Sequence, residues 1–302
     1  MGPFAGGIGL VARVELRQRW RALLGLALLV GLVGTVSLSG FAGARRTASA
    51  LDRFREETLA RDARAIGADD EVTEDLAEAL RDAPWVAAAG EFVDFTVSQG
   101  PTVISVYAGT DEVFANGVDR PLVLDGRMPA ADAADEVAID EVTRDRLEVE
   151  VGDTLSVTGF DPEDLRCLIT GSCAFQGLPG PELDLEVVGV MRDVDAFAIT
   201  EDPTPSVTAS AAFTEAYRDE VGAIRSEVAV RLVDPTDLDR LRDLVDEVTD
   251  RGTLTTSDDD FASGARDAVD VLGTALLVFA AVSALAGAFA VLQAVTRQVD
   301  AA

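Results

Sequence analysis

Two long apolar runs without a single charge, residues 22–44 and 271–296, bracket a polar stretch of domain size. Each run exceeds the ~20 residues that an α-helix needs to cross a bilayer. Between them the pattern breaks into short periods. "TEDLAEALRDAPWVAAAGEF" predicts a helix and then a strand, with Thr73 as N-cap and Pro84 stopping the helix before Val86. "FVDFTVS" and "TVISVYAG" are β-branched runs joined by "QGP", a hairpin signal. "DEVAID", "TLSVTGF" and "LDLEVVGVM" predict further strands, with "VTRDRLEV" a short helix after the first. "SEVAVRLVDPTDLDRLRDLVDEVTDRGTLTTS" reads strand, helix, strand, and Leu238, Leu241, Leu244, Val245 and Val248 form the buried stripe of its helix. The expected fold is an α+β domain, with a strand-rich middle between two helix-containing flanks, set between two transmembrane α-helices.

The flanks add orientation. "GLVARVELRQRWRALL" is a basic amphipathic start, and Trp20 stands where an interfacial anchor is expected. Arginines lie on both sides of the first run, so the charge count nearly ties. A large acidic domain belongs outside the cell, which favours both termini in the cytoplasm. "AGA" at 42–44 resembles a signal-peptide cleavage site. The run is longer than a usual signal core, however, and "RRTASALDRFREETLARDARAI" reads as continuing helix, with Leu51, Phe54, Leu59 and Ile66 apolar. An uncleaved helix projecting past the membrane is expected. Gly31 with Thr35 and Ser283 with Gly287 have the small-xxx-small spacing that lets helices approach closely in lipid.

Composition narrows the chemistry. The net charge of −29 disfavours nucleic acid and anionic headgroups as partners of the domain. The chain has no His, which removes the commonest general base, the usual nucleophile triads and most zinc sites. The two cysteines, Cys167 and Cys173, lie close in "CLITGSC" and suit a small disulfide loop in an oxidising compartment, two unpaired thiols being the alternative. The carboxylates Asp132, Asp135, Glu136, Asp140 and Glu141, and "SDDD" at 257–260, could do acid–base work or hold calcium. In so acidic a chain such clusters arise without function. The alternation in "DEVAID" puts Val137 and Ile139 toward a core and Glu136 and Asp140 toward water, with Gly126 and Gly152 at turns and Asp153 as a polar turn partner.

"ADDEVTEDLAEALRDAPWVAAAG", "GRMPAADAADEVAIDEVTRDRLEVEVGDTLSV" and "LEVVGVMRD", in this order between two apolar runs, resemble the N-terminal part of FtsX-like ABC transporter permeases with a MacB-like extracytoplasmic core domain. The resemblance implies a cytoplasmic segment at 1–21, a first span at 22–44, a core domain at 45–267, a second span at 268–296 and a cytoplasmic tail at 297–302, after which relatives continue with further spans. It implies no enzymatic activity and no cofactor. The implied partners are a separate ABC ATPase on the cytoplasmic side and a second permease copy or half, in a bacterial cell membrane. A chain without Lys cannot carry the phosphate-binding G-x-x-x-x-G-K-[ST] loop, so the ATPase is another polypeptide. Helices over 47–66 and 261–270 would act as levers between membrane and domain. The alternative is a two-span receptor or scaffold whose outer domain binds a protein or ligand.

Overall fold

The computed structural model describes residues 4–67, 70–171, 180–193, 195, 203–249, 253–256 and 263–300. The first half contains α1 (Phe4–Ala48), α2 (Ala50–Glu57), β1 (Ala63–Ile66), α3 (Asp70–Asp82), β2 (Val86–Gln99), β3 (Thr102–Gly109), β4 (Leu122–Gly126), β5 (Glu136–Asp140) and α4 (Glu141–Leu147). The second contains β6 (Thr154–Gly159), α5 (Pro162–Ile169), β7 (Glu182–Arg192), β8 (Ser206–Ala209), α6 (Ala211–Tyr217), β9 (Ala223–Leu232), α7 (Leu238–Val248), β10 (Thr253–Thr256) and α8 (Ser263–Asp300). These elements fall into two compact units, residues 1–51 with 266–302, and residues 52–265.

The first unit pairs α1 with α8 in antiparallel sense. A Cβ placed on Gly287 would overlap Val33, and one on Gly40 would press on Ala280 at 3.1 Å. Among the residues of α8 whose burial is described, Gly273, Ala280 and Gly287, spaced by seven, are the buried ones, a period that keeps one seam facing a neighbouring helix. Of the four small residues singled out above, Gly287 is buried in this seam and Ser283 is half-buried beside it. Gly31 and Thr35 are exposed, and the Thr35 hydroxyl donates to the Gly31 carbonyl of its own helix at 2.8 Å. Among the described residues one helical stretch, Ala268–Arg297, is long and apolar enough to cross a membrane.

The second unit is built on one mixed sheet, antiparallel except where β3 pairs with β8 and β5 with β7. β1, α3 and β2, then β9, α7 and β10, are two βαβ halves interleaved in the order β10-β1-β9-β2. α3 and α7 cover one face, where Leu76, Leu80, Leu241 and Val245 pack on Ala63, Ala65, Val228 and Val230. Everything between β2 and β9 is an insert, the strand-rich middle that the sequence predicts. There β2-β3-β8-β5-β7-β6 closes back onto β2, with β4 continuing beside β7. Closure leaves these strands without free edges. Phe95, Ile104, Val106, Ile139, Leu155 and Leu185 fill the interior, all fully buried. The β2–β3 hairpin turns in two residues, with Gln99 opposite Thr102 and Gly100 at φ +57°.

Several sequence expectations are corrected. Thr73 is not an N-cap: α3 starts at Asp70, and the buried Thr73 hydroxyl accepts the Gly67 N–H at 3.1 Å. The helix expected to run to Ile66 stops at Glu57, where Leu59 takes φ +49°. The chain is then drawn into β1, because the Asp62 N–H donates to the Val230 carbonyl at 2.8 Å and the Asp62 carboxylate accepts the Leu232 N–H at 2.9 Å. β5 is buried on both faces, since Ala138 is as inaccessible as Val137 and Ile139. Glu136 and Asp140 therefore do not simply face water. Glu136 takes both guanidinium nitrogens of Arg127 at 2.6 Å, and Asp140 caps α4 by accepting the Thr143 N–H at 2.6 Å. The turn residues hold their places. Gly126 stands at φ +70° and Gly152 at φ +96°, and the Asp153 carboxylate accepts the Glu150 N–H at 2.9 Å.

Candidate functional site

The two features that concentrate buried charge lie in the second unit. The first is a clasp on the segment between α2 and β1. Arg61, 4% exposed, donates to Asp119 at 2.6 Å and to Asp195 at 2.5 Å, and its backbone N–H donates to Asp119 at 2.8 Å. Burial works against the guanidinium charge, but the two carboxylates more than offset it and raise the Arg61 pKa. Around it the backbone is knitted to the loop before β4. The Asp119 N–H donates to Leu59 O, the Arg120 N–H to Thr58 O, and the Arg120 side chain to Glu57 O at 2.6 Å. Arg55 adds an ion pair with Asp62 at 3.3 Å. A short chain segment is thereby fixed to residues about sixty and more than a hundred positions away.

The second feature is a cleft on the sheet face opposite α3 and α7. Strand alternation puts Ala63, Ala65, Val228 and Val230 under the helices, so Arg64, Arg225 and Glu227 point the other way. Across β2 and β3, Asp94 opposes Arg225 on one side and Tyr107 on the other. β8, β5 and the end of β7 continue the wall with Ser206, Asp140 and Arg192, around a cavity of about 440 Å³. Glu227 is fully buried and held between Arg225, at 2.6 Å, and Arg64, at 3.4 Å. Asp94 is 7% exposed, and its Oδ1 has no hydrogen-bond partner. Burial first, and then the nearby Glu227, push the Asp94 carboxyl up to about 7. Burial likewise raises the Tyr107 hydroxyl, which stays protonated.

The acidic clusters weighed from the sequence are not gathered into one centre. Glu136 pairs with Arg127, Asp140 caps a helix, and Glu141 makes a two-point pair with Arg192 at 2.7 and 2.8 Å. Among the described residues no three acidic or cysteine side chains stand together in a way that could hold a metal ion. The 257–260 cluster lies outside the described residues. Cys167, at the end of α5, is disulfide-bonded, and Cys173 lies outside the described residues. Sequence reading missed Arg61, Arg64, Asp94 and Glu227. A single charged residue inside an otherwise apolar strand, as in "FVDF" and "SEVAV", is the trace that Asp94 and Glu227 leave.

This architecture has a match. The model of the MacB-like periplasmic core domain fits residues 23–248. The chain belongs to that family. Among solved structures, the periplasmic region of MacB from Actinobacillus actinomycetemcomitans is similar over 65% of this chain and 89% of its own, at 13% identity and a TM-score of 0.40. The extracellular domain of the noncanonic ABC-type transporter YknZ from Gram-positive bacteria is similar over 64% of this chain and 98% of its own, at 11% identity and a TM-score of 0.38. No curated protein sequence matches the chain. The matched stretch runs from within α1 to the end of α7.

Proposed function

We propose that this chain is the permease subunit, or the N-terminal part of one, of an ABC transporter of the FtsX/MacB type. α1 and α8 lie in a bacterial cell membrane with both termini cytoplasmic, and the MacB-like core stands outside. A separate ATPase bound on the cytoplasmic side moves the membrane helices, and the core domain moves with them to export, extract or signal. A second permease copy or half completes the unit. The chain itself catalyses nothing in this reading. The observation that carries it is the family match over residues 23–248, followed in sequence by the apolar stretch Ala268–Arg297.

The levers are shorter than the sequence suggests. α2 ends at Glu57, and the Arg61 clasp takes over from there. A helix stiff along its axis conveys a displacement only if its end cannot slip. The backbone bonds at Thr58, Leu59 and Asp62 and the buried Arg61 pairs supply that fixation. On the other side Ser263–Asp270, the first turns of α8, would play the same part; positions 261–262 lie outside the described residues. The test is twofold. The full chain purified from its own membrane should bring an ABC ATPase with it, and recovery of a kinase, or of no partner, refutes the permease. Inserting a flexible Gly-rich segment beside Ala50 should leave ATP hydrolysis intact while abolishing the transport or signalling output. Retained coupling would sink the lever.

A further inference from the structure

We propose that Asp125 and Gly126, on the open edge of the sheet, form a self-modification site, where the aspartate closes on the next amide as a succinimide and reopens as isoaspartate. The Gly126 N–H donates to Asp125 Oδ1 at 2.8 Å. Both residues are exposed. β4 stands at the end of the strand order and pairs with β7, and among the described residues no strand lies beyond it. Successive amides of an antiparallel strand point alternately toward the partner and away from it. The Arg127 N–H is the inward one, donating to the Val188 carbonyl at 2.9 Å. The Gly126 N–H is therefore turned to the open edge, and its partner there is the side chain with which it would react. No ladder bond has to break before this nitrogen reaches the carboxyl carbon.

Proximity is what the chemistry needs. An intramolecular reaction gains most when its reacting atoms are held about 3–3.5 Å apart. Here the nitrogen lies 2.8 Å from an oxygen that is one bond removed from the carbon it attacks. Glycine leaves the approach open, having no Cβ, and its φ of +70° is one it adopts without strain. From the protonated carboxyl, the N–Cγ bond forms while the amide proton and the carboxyl OH depart as water. The ring that closes holds N, C, Cα, Cβ and Cγ. Water then adds back at one of its two carbonyls. Opening at Cγ restores aspartate, whereas opening at the main-chain carbonyl leaves the chain running through Cβ and Cγ. Water is lost once and regained once, and no other reagent is consumed.

The product bears on the fold. Isoaspartate adds one atom to the backbone of β4, just ahead of the bonds that tie it to β7. Arg127 follows directly after Gly126, with its N–H on Val188 and its guanidinium on Glu136 at 2.6 Å. Both contacts are displaced with it, so the end of β4 should come away from the sheet. The site needs nothing from the permease reading.

The sequence supplies its own control. Asn116–Gly117 is the one Asn–Gly pair, as Asp125–Gly126 is the one Asp–Gly pair. In an unfolded chain the Asn–Gly pair closes the same ring faster, because ammonia leaves more readily than the oxygen of a carboxylate. The fold restrains it: the Gly117 N–H donates to the Val113 carbonyl at 2.7 Å, and Asn116 Nδ2 donates to the Glu112 carbonyl at 3.0 Å. Folding should therefore reverse the order of the two sites.

The full chain in detergent micelles, and two synthetic peptides covering residues 110–121 and 120–131, are kept for weeks in water enriched in oxygen-18. Each ring opening installs one heavy oxygen, which peptide mass spectrometry locates, and an isoaspartyl methyltransferase reports the isomer. In the peptides Asn116 should take up label faster. In the folded chain Asp125 should lead by at least about threefold, with isoaspartate at that position. Asp125→Glu, whose ring would need a sixth member, should lose both signals. Asn116 still leading in the folded chain overturns the proposal. So does label at Asp125 without isoaspartate, or either signal persisting in the variant.

Discussion

Replacing Arg61 with alanine should destabilise the MacB-like core by about 3 kcal/mol. Both partners of the Arg61–Asp119 pair are buried, with side chains 5% exposed, while Asp195 is 27% exposed. Removing the guanidinium leaves the Asp119 carboxylate in the interior with one remaining donor, the backbone N–H of residue 61 at 2.8 Å. Breaking a buried pair by deleting one partner costs about 3–5 kcal/mol. The retained backbone bond, and the half-open Asp195 that can turn to water, place this site at the lower end. A urea titration of the full chain in detergent, followed through Trp85, measures the loss. Arg61→Met combined with Asp119→Asn removes the stranded charge as well as the cation. The double variant should recover at least about 1 kcal/mol relative to the sum of the two single changes. A single-variant loss below about 0.5 kcal/mol, or additive single changes, would refute a clasp held by charge.

Other expectations concern protons and glycines. A carboxyl whose native pKa lies above its unfolded value near 3.9 favours the native state only while protonated, so Asp94 should lower stability progressively as pH rises from about 4 to about 7. Asp94→Asn should therefore stabilise the domain at pH 8 by about 2–4 kcal/mol and have little effect at pH 4; equal effects at both would remove the burial argument. Glu136 shows the opposite sign. The Arg127 hydrogen bonds, then the Ala130 N–H, lower its pKa to about 2, so its contribution is present above about 4.3 and disappears as pH falls toward 2. Arg127→Ala should flatten that acid limb in pH-dependent denaturation, and an unchanged limb would assign the loss elsewhere. Gly126→Ala should cost about 2–3 kcal/mol, because a Cβ there meets the Val188 carbonyl at φ +70°, while Gly100→Ala, open at φ +57°, should cost about 1 kcal/mol. Equal losses would mean that the close approach adds nothing.

How much of this was legible depended on range along the chain. The α7 stripe declared itself, since Leu241 and Val245 are one turn apart and both become fully buried. The hairpin was local too, set by two residues between β2 and β3. β5 was misread because alternation alone cannot tell that a second layer covers Ala138. The end of α2 was invisible because its cause lies at Val230 and Leu232, far along the chain. The clasp and the cleft were hidden for the same reason. In sequence, Arg61, Asp94 and Glu227 are charges among other charges, and the fold alone makes them buried ones.

β2 belongs to both halves of the core. Its first residues pair with β9 in the interleaved sheet, and its last pair with β3 and β6 in the closed insert. The strand is therefore a shared rafter, and no saw line runs between the rooms it spans. A piece made of the insert alone would carry an orphaned edge from Val86 to Phe92, open to any passing strand. A piece lacking the insert would leave the far end of β2 unsupported. Soluble versions for binding work should thus be cut outside β1 and β10, and transplants between relatives should exchange the whole core.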